Sequence, residues 1–194
     1  MENISGTEMQ FVLTVLKSPE QEYNANSISK ELNISPMGAL KIARKLEKEG
    51  IIKLKEMGRA RFYSISFESQ YVKQYLRFLL MKEAEEAPPY IKMWIREIRK
   101  VKNAEIAVIF GSVLQKQDKA NDVDVLLATG QKKFADLKKE VEAINKVNTK
   151  KVHSIYTTLD ILGISFKNHE KAVLDAVKGV VVIGEDNFLE LLSR

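Results

Sequence analysis

Two aspartates separated by one residue, Asp122 and Asp124, follow the pair Gly111-Ser112 after nine intervening residues, in the stretch IFGSVLQKQDKANDVDVLL. If Asp122-Val123-Asp124 opens a strand, both carboxylates point to the same side of the sheet. Hard oxygen donors on one face suit Mg2+ or Mn2+, and Mg2+ usually takes one or two carboxylates together with substrate phosphates. Metal ions held in this way can activate a nucleophilic oxygen and stabilise a departing pyrophosphate. Upstream, a glycine allows close backbone approach to a phosphate, and a serine hydroxyl with its neighbouring amides can hold phosphate oxygens. Gly111 and Ser112 are therefore candidate nucleotide-binding residues, and Asp122 and Asp124 candidate metal ligands.

A second set of residues is suited to polyanions. Residues 41–61 carry eight basic groups against three acidic ones, whereas residues 1–40 are net acidic and residues 101–194 nearly balanced. Lys41, Arg44, Lys45 and Lys48 fall on the polar side of one helical stretch, and Arg59 and Arg61 flank a turn. Cations on a helix and on an adjoining hairpin are what contact with phosphates on either side of a major groove requires. The small or polar residues at the start of that helix, Ser35, Met37 and Gly38, would lie nearest the base edges. A solvated charged face is the alternative reading of the same residues.

The elements needed to position these groups are legible. Phe11, Leu13, Val15 and Leu16 mark an amphipathic helix that ends at Ser18-Pro19. Asn26-Ser27 can cap a short second helix with Ile28 and Leu32 on one face. Asn33-Ile34-Ser35-Pro36 reads as a turn, with Ser35 capping a third helix and Pro36 in its first position. That helix places Leu40, Ala43 and Leu46 inward and stops at Gly50. Ile51–Glu56 and Arg61–Phe67 read as two strands joined at 57–60. The segment SISKELNISPMGALKIARKLEKEGIIKLKEMGRARFYSISF resembles the winged helix-turn-helix domains of prokaryotic transcriptional regulators, which implies double-stranded DNA as a partner.

Residues 68–100 read as a helical connector, with Tyr71, Tyr75, Phe78 and Leu79 at helical spacing. After Pro88-Pro89, Ile91, Trp94, Ile95 and Ile98 form a second stripe. These stripes either pack the domains or form a homodimer seam. Beyond Asn103 strands and helices alternate: strands at Glu105–Phe110, Asp122–Ala128, Lys151–Thr157 and Gly179–Ile183, with helices at Lys132–Asn145, Leu159–Phe166, His169–Val177 and Asp186–Leu192. The fold class expected is α+β: a winged helix (1–67), a helical connector (68–100) and an α/β domain with a mixed sheet (101–194).

The strand, Gly111-Ser112, the loop and Asp122-x-Asp124 together resemble the minimal nucleotidyltransferase domains of the DNA polymerase β superfamily over about residues 101–194. The resemblance implies Mg2+-dependent transfer of a nucleoside monophosphate from an NTP to a hydroxyl. It also implies a third carboxylate from a later strand. Here that strand is KKVHSIYTT, where His153 stands at the position of the acid and so joins the catalytic candidates. Asp160 lies past the strand, in the first turn of a helix, where a carboxylate compensates the helix dipole. The Arg-Gly pair that many of these domains carry is replaced by Leu114-Gln115-Lys116.

Composition excludes several classes. The 194 residues contain no cysteine and only two histidines, His153 and His169, so there is no disulfide framework, no thiolate metal site and no cysteine nucleophile. No apolar run approaches the roughly 20 residues needed to span a bilayer. No basic-then-apolar leader opens the sequence, which implies a cytoplasmic protein. Three readings remain: a nucleotidyltransferase with an unknown acceptor, a DNA-binding transcriptional regulator whose C-terminal domain senses nucleotide or dimerises without catalysis, and an antitoxin-like partner of a small helical toxin.

Overall fold

The computed structural model describes residues 4–58 and 60–193. Arg59, expected at the hairpin turn, lies outside the described residues. The chain divides into two compact units, one up to Leu79 and one from Leu80 onward.

The first unit begins with α1 (Gly6–Lys17), α2 (Ala25–Glu31) and α3 (Pro36–Lys48), followed by β1 (Ile52–Met57) and β2 (Ala60–Ile65). The strands pair antiparallel, Ile52 opposite Ile65 and Glu56 opposite Arg61. Three helices followed by a two-stranded hairpin is the winged-helix element order anticipated from the sequence. A capping box starts α1: the Ser5 hydroxyl accepts from the Glu8 amide, and a Glu8 carboxylate oxygen accepts from the Ser5 amide. The cap of α2 is Asn24 rather than Asn26-Ser27, because its Oδ1 accepts from both of those amides, at 2.9 and 3.0 Å. Ser35 and Pro36 open α3 as expected, with Ser35 Oγ accepting from the Gly38 amide at 3.0 Å. At the other end, Gly50 N–H donates to Glu47 and Ile51 N–H to Leu46, the Schellman pairing.

Phe11, Leu16, Ile28, Leu46 and Ile51 are buried, and Phe11 meets Tyr63 with ring centroids 5.4 Å apart. On α3 the inward residues are Ala39, Ala43 and Leu46, with Leu40 only half-buried. Helix geometry sets this choice, since 39, 43 and 46 follow i, i+4, i+7 and Leu40 sits about 100° away from Ala39.

The helical stretch that follows forms α4 (Gln70–Glu86) and α5 (Pro89–Ile98), and the division between units falls within α4. Ile91, Trp94, Ile95 and Ile98 are buried in the core of the second unit, so this stripe is not open to a second copy. Of the two alternatives the sequence left open for this stripe, packing or a homodimer seam, its burial fits packing. Such side chains stabilise by about 1.5–3 kcal/mol each on burial, so a helix carrying four of them docks firmly.

The second unit continues with β3 (Ile106–Phe110), α6 (Val113–Lys116), a 3-10 turn (Gln117–Lys119) and β4 (Val123–Ala128). After these come α7 (Phe134–Val147), β5 (Val152–Thr157), α8 (Leu159–Lys167), α9 (Lys171–Val177), β6 (Val180–Ile183) and α10 (Glu185–Leu192). Strand order is β5-β4-β3-β6. β3 pairs antiparallel with both β4 and β6, and β4 pairs parallel with β5, so the sheet is mixed. Residues of α5 and α7 cover one face, packing on Ala107, Ile109, Val123, Val125 and Leu127. Ile106, Val108 and Leu126, of opposite parity, are buried too, as in a sheet covered on both sides. His169 does not open α9 but closes α8: at φ 55° its N–H donates to Phe166, and the Glu170 N–H donates to Ser165. The α+β class and the mixed sheet agree with the sequence reading. The helical turn at Val113–Lys116 was not anticipated.

Candidate functional site

On α3 the outward positions Met37, Lys41, Arg44 and Lys48 are all exposed. Their spacing of 4, 3 and 4 places them on one stripe of the helix. Met37 is 71% exposed at the start of α3, beside the capping Ser35. Arg44 and Arg61 line a groove of about 470 Å3 together with Asn24, Asn26, Leu40 and Tyr63, so a cation of the helix and one of the hairpin share a surface. Arg61 Nε donates to Glu56 across the hairpin at 3.1 Å. Both side chains are exposed, and such pairs contribute at most about 1 kcal/mol.

Lys45 does not belong with these residues. Its ammonium donates to Glu8 Oε1 of α1 at 3.0 Å, and the two side chains are 35% and 13% exposed. It lines a different, largely apolar hollow with Ile4, Leu46, Glu49, Tyr75 and Phe78. There burial pushes the Tyr75 phenol up to about 12, with the charges of Glu49 and Glu8 adding to the effect. Lys45, expected from the sequence among the phosphate-contacting residues, is engaged here in an intramolecular ion pair. The same Glu8 carboxylate caps α1 and holds α3.

In the second unit Asp122 lies just before β4 and Asp124 is its second residue, and the parallel register sets Asp124 opposite His153 of β5. One ligand atom from each of the three lies within 4.8 Å of the others. Asp122 and Asp124 are half-buried and His153 is 71% exposed. A carboxylate can only accept, so His153 Nδ1 donates to Asp124 Oδ1, at 3.0 Å. That hydrogen bond is the main reason the imidazole is held above its ordinary pKa. Slight desolvation opposes it, and the charges of Asp124 and Asp122 add to it. Asp160 is exposed in the first turn of α8, outside the trio.

Gly111 ties this trio to its surroundings. Its φ is 79°, and a methyl group there would stand 2.3 Å from Asp124 Oδ2, so only glycine lets the carboxylate lie against the chain. Gly111 and Ser112 also line a cleft of about 330 Å3 with Leu114, Gln115, Asp175 and Lys178. Ser112 makes no capping hydrogen bond with its side chain. Lys178 was missed from the sequence. It lies 66 residues beyond Ser112 and reaches the cleft because β6, which it precedes, pairs with β3. The loop from Ser112 to Asp122 is fastened by Lys150, which donates to the carbonyls of Asp118 and Ala120 and sits over the Tyr90 ring at 5.8 Å.

Two carboxylates and one imidazole could hold a divalent cation, although oxygen-seeking Mg2+ would be a poor match to the third position. No helix of the described residues is long and apolar enough to cross a membrane. No family model and no curated protein matches the chain. The solved structures similar to part of it include two of mutants of Lactococcus lactis ZitR, one at 15% identity and TM-score 0.32, the other at 14% and 0.31. They cover 52% and 51% of this chain and 73% of their own.

Proposed function

We propose that this protein binds double-stranded DNA through its first unit and acts as a transcriptional regulator. The observation that carries the reading is the stripe Met37, Lys41, Arg44 and Lys48 on a Ser35-capped helix, with Arg44 and Arg61 sharing one groove. A helix about 10–12 Å across fits a major groove about 12 Å wide. Its cations then meet phosphates while Met37 and the first turn face bases. Dimerisation belongs to the same reading. Tyr71 and Phe78 stand exposed on α4, and regulators of this architecture commonly read two-fold sites as pairs. The test is anisotropy titration of a labelled duplex across a salt series. With four cations available per protomer, log affinity should fall with log salt at a slope of about −3 to −4 per protomer. No binding at about 50 mM salt would overturn the reading.

A second reading concerns the other unit: a nucleoside-triphosphate site of the nucleotidyltransferase kind. It is favoured by the convergence of Asp122, Asp124 and His153 beside the Gly111-Ser112 cleft. In this reading Asp122 and Asp124 hold a divalent ion, and Gly111, Ser112 and Lys178 receive phosphates. His153 stands where an acid would otherwise complete the set. A divalent ion bound there would neutralise phosphate charge and polarise the phosphoryl group. Calorimetric titration with ATP should show heat only when a divalent ion is present, lost in Asp122→Asn/Asp124→Asn. Transfer of label from ATP to an acceptor would extend the reading to catalysis. Ion-independent binding, or none, would remove it.

A further inference from the structure

We propose that the hollow walled by α1, the last turn of α3 and α4 binds a small organic cation of the quaternary ammonium class. Every residue lining it belongs to the first unit, and its volume of about 360 Å3 falls in the range of small-molecule sites. Tyr71, Tyr75 and Phe78 follow one another at i, i+4 and i+7, so α4 turns one aromatic face to it. The Tyr71 and Tyr75 rings stand 6.4 Å apart and 32° from parallel. Leu46 of α3 adds to the apolar wall.

Apolar lining alone accepts any hydrophobe of this size, and charge decides among them. Two carboxylates, Glu8 and Glu49, line the hollow against one ammonium, Lys45. Lys45 donates to Glu8 Oε1, and Glu8 Oε2 accepts from the Ser5 amide. Glu49, the C-cap of α3, is exposed and forms no ion pair with any described residue. The negative end of the helix dipole lies at the same place. Tyr75, pushed up first by burial and then by the charges of Glu49 and Glu8, registers this field and stays neutral. An ammonium is attracted to aromatic faces, whereas an anion would meet Glu49. Quaternary nitrogen suits the apolar wall best, since it brings no N–H that burial would leave unsatisfied.

The experiment is a ligand-observed NMR titration of the full chain with benzyltrimethylammonium. Two comparisons accompany it: the neutral isostere with carbon in place of nitrogen, and benzylsulfonate. The cation should bind about tenfold tighter than the isostere, with its N-methyl protons moved upfield by the tyrosine rings, and benzylsulfonate should bind weakest. Glu49→Gln should weaken the cation by about fivefold and leave the isostere unchanged. Lys45→Ala, which removes the one ammonium of the lining, should tighten the cation by about threefold. A structural role alone would shift cation and isostere together, and circular dichroism establishes that each variant folds. Equal affinity for cation and isostere, tightest binding of benzylsulfonate, no effect of either variant, or no binding at about 10 mM would overturn the proposal. So would a cation affinity that falls as the chain self-associates in sedimentation, because a second copy would then cover Tyr71 and Phe78.

Discussion

The triple variant Lys41→Ala/Arg44→Ala/Lys48→Ala is expected to lose roughly 10²–10³-fold in duplex affinity at about 0.1 M salt. Each phosphate contact removed should also flatten the salt slope by about 0.9, so the variant slope should be shallower by nearly 3. All three side chains project from the exposed stripe of α3, so their removal leaves the core intact and circular dichroism should be unchanged. Lys45→Ala is the informative control, one residue along from Arg44. Because Lys45 is engaged with Glu8, its removal should leave DNA binding within about threefold while lowering stability by up to about 1 kcal/mol. A loss of DNA affinity in Lys45→Ala equal to that of the triple variant would contradict the assignment of the stripe.

The second large effect is structural. Gly184 precedes α10 at φ 79°, and a methyl group there would lie 1.9 Å from the Glu105 carbonyl oxygen and 2.9 Å from its carbon. The obstacle is backbone leading into β3, the strand at the middle of the pairing order, so it cannot swing aside as a side chain would. Gly184→Ala should destabilise the second unit by about 4 kcal/mol or more, in the range reserved for strain at special backbone positions. Gly50 offers the comparison. It has nearly the same φ, 71°, but open space where the methyl would go. Gly50→Ala should cost only about 1–2 kcal/mol, the left-handed penalty alone. Chemical denaturation followed by tryptophan fluorescence reads the second unit for Gly184→Ala, since Trp94 is buried in its core, and the first unit is followed by far-UV circular dichroism for Gly50→Ala. Equal losses in the two variants would show that conformation, and not collision, dominates at Gly184.

Local pattern carried much of the architecture. The Ser35-Pro36 start, the Gly50 stop and the strand around Asp122 and Asp124 lie where capping chemistry and alternation put them. What the pattern could not supply was any fact that depends on residues distant in sequence. Lys45 reads as a free cation until α1 brings Glu8 against it from 37 residues away. Leu40 outranks Ala39 in hydrophobicity, yet helix angle gives the core position to alanine. Asn24 and Asn26 are equally good caps by type, and only the reach of one Oδ1 to two amides separates them. The apolar stripe of α5 looks the same in sequence whether its cover is a sheet or a second chain. At the candidate metal site, the pairing of Asp124 with His153 is a matter of strand register across α7, and Lys178 enters the cleft through β6. Neither leaves a mark in local spacing.

The pairing of β3 with β6 also governs the order in which the chain can complete itself during synthesis. Ile109 must wait for Val180, 71 residues later, before its second neighbour exists. The first unit has all of its partners within the chain up to Leu79 and can form before the second is complete, whereas the sheet waits for its last strand. Until β6 arrives, one edge of the apolar strand Ile106–Phe110 has no partner. An open edge of that kind invites pairing with another nascent chain. The interval before the last strand docks is therefore when the protein is most exposed to aggregation.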